Sequence, residues 1–348
     1  MKVAVLISGG VDSSVALRLL KEQGHSVTAF YLKIWLEDEL AFLGDCPWEQ
    51  DLAFARKVCK QAGVELKIVP LQKEYHDRVI AYTVQAVKEG RTPNPDVLCN
   101  TMIKFGAFYE AVGKEYKRIA TGHYAQVLEK EGVFYLHKTP DPIKDQTYFL
   151  SRLTQEQLAR VMFPLGNYTK EQVRNLAQQF DLPNKERKDS QGLCFLGKIK
   201  FSEFIKEHIG TKQGDLVEFE TGKVWGTHEG FWFYTIGQRQ GIGLSHGPWY
   251  VIAKEPSKNI VYISKEYHTD EKKRDQFVID HCYWFSGKQP DTKNLTVKIR
   301  HGKQEHKATL QDSTVKLSER DQGIAAGQFA VFYDGSLCLG SGIITKTF

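Results

Sequence analysis

Within seven residues, Ser8-Gly9-Gly10-Val11-Asp12-Ser13-Ser14 combines two glycines, three hydroxyls and one carboxylate. It lies between a β-branched apolar run at 3–7 and apolar residues at helical spacing from 15 to 20, with Gly24 as a stop, so the stretch is read as a strand-to-helix loop. Adjacent glycines let backbone N–H groups approach an anion without a Cβ in the way. The helix N-terminus adds unpaired donors and a favourable dipole. Such a loop cradles phosphates, and Asp12, acidic in a site built for anions, suits a Mg²⁺ that bridges to phosphate oxygens. The alternative reading is a Gly-rich turn in which Asp12 caps the helix. The loop lacks the Lys of GxxxxGK[ST] and the third Gly of GxGxxG, so neither the Walker nor the dinucleotide pattern fits.

Two of the six cysteines have contexts that favour thiolate chemistry. Cys99 follows Arg91-Thr92-Pro93-Asn94-Pro95-Asp96, whose two prolines predict an irregular extended loop before helical spacing resumes at Met102. Cys99 is thereby expected near a helix N-terminus, where dipole and N–H donors lower a thiol pKa; the alternative is a small buried hydrophobe at the junction. Cys194 is bracketed by Gly192 and Gly197 and preceded by Lys185, Arg187 and Lys188, an electropositive setting. Cys59 falls on an apolar helix face and reads as core, while Cys46 lies in a loop with a structural or incidental role. No CxxC occurs, and the spacing is too scattered for a disulfide scaffold.

The elements that must position these residues alternate βαβαβ over 3–69, which predicts a parallel, doubly wound sheet with its ligand site at the strand carboxyl ends. The Ser8 loop, Leu32 and the Thr121-Gly122-His123 stretch after a strand at 118–120 then share one rim, where Gly122 admits a nucleotide and His123 is a contact candidate. A hairpin is read at 127–137, followed by Lys144-Asp145-Gln146 in a loop. Beyond 209 the chain shifts to short strands with Gly, Asp and Pro turns, and from 277 to alternation that suggests a closed barrel. The domains expected are 1–205, α/β; 206–272, small and β-rich; and 273–348, a β-barrel. At 348 residues, 41% hydrophobic and 26% charged, the chain is globular with several cores, and a net charge of +5 permits a polyanionic partner. Without a signal peptide or an apolar run of membrane-spanning length, a cytoplasmic protein with no membrane partner is expected.

The first loop resembles the PP-loop of ATP pyrophosphatases. SGGVDSS, NPDxxCN, TGHYA, KDQ, KDSxGLCFLG and TIGQRxG, in this order, resemble the bacterial and organellar tRNA-specific 2-thiouridylase family from end to end. That resemblance implies that ATP with Mg²⁺ adenylates the C2 oxygen of the wobble uridine in tRNA, and that sulfur from a persulfide donor, a cysteine desulfurase or sulfur-relay protein, replaces it. It implies Cys99 as nucleophile, Cys194 as persulfide carrier, a disulfide between them, and Asp12 in catalysis. It maps the ATP site onto Leu6, Ile7, Ser8, Gly9, Gly10, Val11, Asp12, Ser13, Leu32 and Gly122. Target-base contacts fall on Asn94, Pro95 and Asp96, and further tRNA contacts on Lys144, Asp145, Gln146, Arg300 and His301. The sequence departs from the family's commonest pattern around Cys46 and at His301. Two alternatives stay open: the same reaction with an iron–sulfur cluster on Asp96, Cys99 and Cys194, or a sulfur-free PP-loop ligase acting on tRNA, to which the two cysteines would be superfluous.

Overall fold

A computed structural model describes residues 1–34, 47–112, 115–189, 200–266, 274–292, 294–321 and 323–348. The alternating pattern at the N-terminus becomes strands β1 (Lys2–Leu6), β2 (Ser26–Lys33) and β3 (Leu66–Pro70), joined by helices α1 (Val11–Glu22) and α2 (Pro47–Ala62). Helices spanning 72–88 (α3) and 95–111 (α4) follow, then β4 (Arg118–Ala120), the hairpin β5 (Gln126–Lys130) and β6 (Val133–His137), and β7 (Val161–Met162). The first sheet has order β3-β2-β1-β4-β7 and every pair is parallel. The chain leaves β1 towards β2 and β3, then returns to the other side at β4. The reversal of winding lies between β1 and β4, where the first βα loop opens.

Period-two alternation puts both faces of β1 to use. Val3, Val5 and Ile7 pack with Val11, Val15, Leu52, Ala55 and Val58 of α1 and α2, whereas Ala4 and Leu6 pack with Tyr75, Val79, Val97 and Ile103 of α3 and α4. Burial on both faces accounts for the unbroken apolar run of the sequence.

Helices α5 (Lys170–Gln179) and α6 (Phe201–Ile209) end this domain. The middle domain is a four-stranded sheet of β8 (Gly214–Glu218), β9 (Val224–His228), β10 (Tyr250–Glu255) and β11 (Ile260–Ser264), in order β10-β11-β8-β9. Among the short strands expected beyond 209, the apolar stretch at 231–235 instead begins with a single turn, Phe231–Phe233; it follows Gly230, whose φ of 147° breaks the extended run. The last six strands are β12 (Arg274–Trp284), β13 (Leu295–Lys298), β14 (His306–Gln311), β15 (Thr314–Asp321), β16 (Phe329–Asp334) and β17 (Leu337–Thr347). Pairing of β12 with β17 closes them into a barrel around Phe277, Val297, Val315, Ala330 and Ile344.

The expected hairpin of the α/β domain is part of the barrel's sheet, because β6 pairs with β17 at Leu337 and Cys338. A buried ion pair reinforces the junction: Lys298 Nζ of β13 lies 3.1 Å from Asp145, both side chains under 5% exposed. Thr147 hydrogen-bonds Asp145 and meets the Tyr333 hydroxyl at 3.0 Å. Removing one member of such a pair leaves the other charge buried without compensation, which costs about 3–5 kcal/mol. Lys298→Met should lower the unfolding free energy by that amount, read as a lower urea midpoint, and an unchanged midpoint would show that the pair contributes nothing to holding barrel and α/β domain together.

Candidate functional site: a phosphate cradle beside a cysteine helix

The loop after β1 is shaped by its own side chains. Gly9 takes φ +75°, and a Cβ there would stand 2.2 Å from the Asp51 carbonyl oxygen, so only glycine lets α2 come this close. Ser13 and Ser14 donate their hydroxyls to the Gly10 carbonyl at 3.1 and 2.8 Å, and the Ser8 N–H donates to Ser13 Oγ at 3.2 Å. The hydroxyls expected to face an anion are therefore spent, in Ser13 and Ser14, on fixing the loop; Ser8 is exposed. The N-cap of α1 is Gly10, and no side chain caps the helix. Its first N–H groups and dipole thus match an anion with room above Gly10, where an added Cβ would meet only Ser8 Oγ at 3.4 Å.

Leu6, Ile7 and Val11 are buried, so they shape the cradle through their backbone. Leu32 near the end of β2 and Gly122 after β4 share the rim with them, on the strands that flank β1. The reason for glycine at 122 differs from the expected close approach of a nucleotide: a Cβ there would fall 2.7 Å from the Ser13 nitrogen and 2.8 Å from the Asp12 carbonyl carbon, so it is the loop's own backbone that packs on it. His123 is turned inward between Phe105 and Phe163 and hydrogen-bonds Thr121 at 2.7 Å. Burial, and then the charge of Lys104, keep its ring neutral, with a pKa well below the ordinary value.

Asp12 does not cap its helix. Its Oδ1 accepts from Lys170 Nζ at 2.6 Å and from the Tyr124 hydroxyl at 2.9 Å, leaving Oδ2 as the oxygen that would hold a metal. Lys170 also reaches Asp189 at 2.8 Å, and Asp189 takes Lys144 at 2.6 Å and Arg174 at 2.5 Å as well. Burial opposes ionisation of Asp189, but hydrogen bonds from Lys144 and Lys170 outweigh it and hold the carboxyl at about 2. These pairs are complete above the ordinary carboxylate value and are lost only as pH falls towards 2. Neighbouring residues clamp the cradle from the far side: Asn184 donates to the Gly9 carbonyl at 2.8 Å and Arg187 to the same oxygen at 3.1 Å, with its other arm on Asp51. Of the cations expected to activate Cys194, Arg187 is therefore paired with Asp51 and Lys185 with Asp181; only Lys188 is simply exposed.

Lys170 is absent from the residues that the sequence singled out, yet it carries a signal. Thr169 and Gln172 form a capping box, which puts Lys170 at the first position of α5. A cation there opposes the helix dipole and needs an outside reason; the reason is Asp12 and Asp189.

The Asn94-Pro95-Asp96 stretch is not the extended loop expected. Asn94 caps α4 by accepting from the Val97 N–H at 3.4 Å, and Pro95 occupies the first helical position, where a missing N–H is harmless. Cys99 consequently lies more than a turn inside the helix and is 0% exposed rather than open at its end. Its neighbour Asn100 donates to the Phe149 carbonyl at 3.1 Å and accepts from Lys104 at 2.9 Å. Of the residues expected on tRNA, Asp145 is closed off by Lys298 and Thr147, Pro95 is buried, and Gln146 is locked to Tyr124 through both its backbone and its side chain. Lys144 is half-buried against Asp189. Arg300 and His301 come from the barrel but reach the same place: His301 lies 4.4 Å from the Phe149 ring, with its pKa lowered by burial and by Lys298 and Lys144. The Tyr148 hydroxyl donates to the Phe329 carbonyl at 3.1 Å, and both the Asn94 side chain and the Arg300 charge act on it. Three separate segments thus form one rim. Asp96 is partly buried in the first turn of α4. Cys194 and Cys46 lie outside the described residues, and so does any ligand set that includes Cys194; Cys59 is core, its thiol pushed up to about 11 by burial. No helix among the described residues is long and apolar enough to cross a membrane.

The profile of the tRNA methyl transferase HUP domain matches residues 1–198, that of the tRNA methyl transferase PRC-barrel domain 202–265, and that of the aminomethyltransferase beta-barrel domain 274–344. The chain is 45% identical to the tRNA-specific 2-thiouridylase MnmA of Parabacteroides distasonis, covering 99% of both chains. It is 44% identical to the corresponding protein of Porphyromonas gingivalis, again over 99% of both, and 44% identical to tRNA-specific 2-thiouridylase MnmA 1 of Bacteroides thetaiotaomicron, over 99% of this chain and 100% of that one.

Burial separates the cysteines in a way that labelling reads directly. Under brief iodoacetamide treatment of the folded protein, peptide mass spectrometry should find exposed Cys282 modified and Cys59, Cys99 and Cys338 at least about tenfold less so, since each must wait for local opening. Labelling of Cys99 as fast as Cys282 would contradict its placement inside α4.

Proposed function

The chain belongs to the tRNA-specific 2-thiouridylase family, and from that premise we propose that it binds tRNA, activates the wobble uridine with ATP and exchanges its C2 oxygen for sulfur. The observation that carries this reading is a continuous polar path from the cradle to the cysteine helix. Asp12 holds Tyr124, Tyr124 is bonded twice to Gln146, and the turn after Gln146 presents the Phe149 carbonyl to Asn100 beside Cys99. A methyl transfer, the reaction in the family description, would have no use for a phosphate cradle with Asp12 and Lys170 at its mouth.

In this reading the triphosphate lies on the N-terminus of α1, with the backbone from Leu6 to Ser13, Leu32 and Gly122 around the nucleotide. The uridine O2 attacks the α-phosphorus, the bond to the β-phosphate oxygen breaks, and pyrophosphate leaves. Lys170 supplies charge where the leaving group gains it, by exchanging its bonds to Asp12 and Asp189 for phosphate oxygens. Mg²⁺ held by Asp12 Oδ2 would add a second positive charge across the phosphates. The terminal sulfur of a persulfide on Cys194, loaded by a cysteine desulfurase or sulfur-relay protein, then attacks C2, and AMP leaves with the former O2. Attack of the Cys99 thiolate on the inner Cys194 sulfur frees 2-thiouridine and forms a 99–194 disulfide, which a thiol reductant resets. Asn94 and Asp96 at the head of α4 would orient the base, Pro95 fixing their backbone; Lys144, Arg300 and His301 would take the RNA, with Asp145 and Gln146 holding the loop between them.

Asp12→Ala should reduce ATP-dependent pyrophosphate release by about 10²–10³-fold while tRNA affinity changes by less than a few fold; normal release would show that the cradle has been misassigned. Cys194→Ser should lose sulfur loading, and Cys99→Ser should load sulfur yet stall with the uridine sulfur still bonded to Cys194, with both still adenylating tRNA. Nucleoside mass spectrometry after incubation with tRNA, ATP, Mg²⁺ and a sulfur source reads the outcome. Repeated turnover by Cys99→Ser would remove the disulfide step.

A further inference from the structure

Arg300 is half-exposed on the rim, yet its guanidinium is held like a buried group. Nη1 and Nη2 donate in parallel to the two oxygens of Asp321 at 3.0 and 3.1 Å, and Nη2 also donates to Gln304 at 3.1 Å. Asp321 is fixed in turn: its side chain is 7% exposed, the Gly323 N–H donates to Oδ1 at 2.5 Å, and the enclosed His306 ring stands 3.4 Å from Oδ2. Gly323 contributes more than that bond. A Cβ on Gly323 would lie 1.6 Å from Arg300 Nη1 and 2.8 Å from its Cζ, with Asp321 Oδ1 next at 3.1 Å. Its φ is outside the left-handed region, so the backbone would accept alanine; what stands in the way is the guanidinium.

We propose that Gly323 and Asp321 are positioning residues for RNA binding: together they form a slot that sets the Arg300 guanidinium at one place and angle on the rim, ready to meet a phosphate. The proposal rests on the reading that RNA crosses this rim. A planar fork already fixed by a carboxylate loses less rotamer freedom on meeting a phosphate than a loose side chain does. Neither residue needs to touch RNA.

Two predictions distinguish positioning from simple charge. Gly323→Ala leaves every charge in place, yet should weaken binding of an unmodified tRNA transcript by about 5–10-fold and lower the slope of log affinity against log salt by about one, as loss of one phosphate contact does. Asp321→Asn makes the surface more positive by one charge, so charge alone would tighten binding; positioning makes it weaker. Binding is measured on the full chain by filter retention over a salt series, with thermal unfolding of each variant alongside. Arg300→Ala serves as reference, and in that background Gly323→Ala has nothing left to displace and should have no further effect. Wild-type affinity and slope in Gly323→Ala, tighter binding by Asp321→Asn, or an added loss in the double variant would each overturn the slot. If Arg300→Ala itself binds like wild type, the RNA lies elsewhere, and it is the reading of the rim that fails, taking the slot with it.

Discussion

Lys170 between Asp12 and Asp189 is the contact on which the site depends. One ammonium ties the first loop of the chain to a segment some 180 residues later and draws Lys144 and Arg174 to the same carboxylate. Lys170, Lys144 and Arg174 face Asp12, Asp189 and Asp141 across the mouth of the cradle, beside a helix N-terminus that no side chain caps. Each of these cations has a carboxylate partner, so an incoming polyphosphate would exchange partners instead of ordering loose side chains. That is the preorganisation that electrostatic catalysis requires.

The barrel is built into the site as well. By adding β5 and β6 to its sheet and holding Asp145 with Lys298, it fixes the loop that presents Gln146 to Tyr124 and Phe149 to Asn100. The loop before α4 is stitched to the barrel too: the Thr92 N–H donates to the Ala326 carbonyl at 2.7 Å, and Gln328 donates to the Thr92 carbonyl at 2.9 Å. RNA seated on Arg300 and His301 would therefore bear on the same rigid body that holds Cys99, which relates binding on the barrel to chemistry in the α/β domain.

Much of this was legible in the sequence because local physics determined it. The doubly wound sheet followed from strand and helix periods, and the rim followed from the rule that ligands gather at strand carboxyl ends. What misled was also local. The prolines suggest a loop up to Met102, whereas Pro95 behind a capping Asn94 starts the helix seven residues earlier, and this carries Cys99 from an open N-terminus into the interior. Gly122 also makes room for the Asp12–Ser13 backbone, a close approach that the sequence does not show. Lys185 and Arg187 precede Cys194 in the sequence, and in the fold each has a carboxylate partner, Asp181 and Asp51, the second from far away in the chain. The slot around Arg300 had no signal at all, since a glycine needed for the space of one guanidinium looks like any other loop glycine.

In the proposed reaction the uridine C2 oxygen is activated by attack on the α-phosphate of ATP. A tRNA carrying ¹⁸O at C2 of the wobble uridine tests it in one reaction. Each 2-thiouridine formed should be matched by one AMP bearing the ¹⁸O, with pyrophosphate unlabelled; ¹⁸O in water or in pyrophosphate, with AMP unlabelled, would contradict this activation.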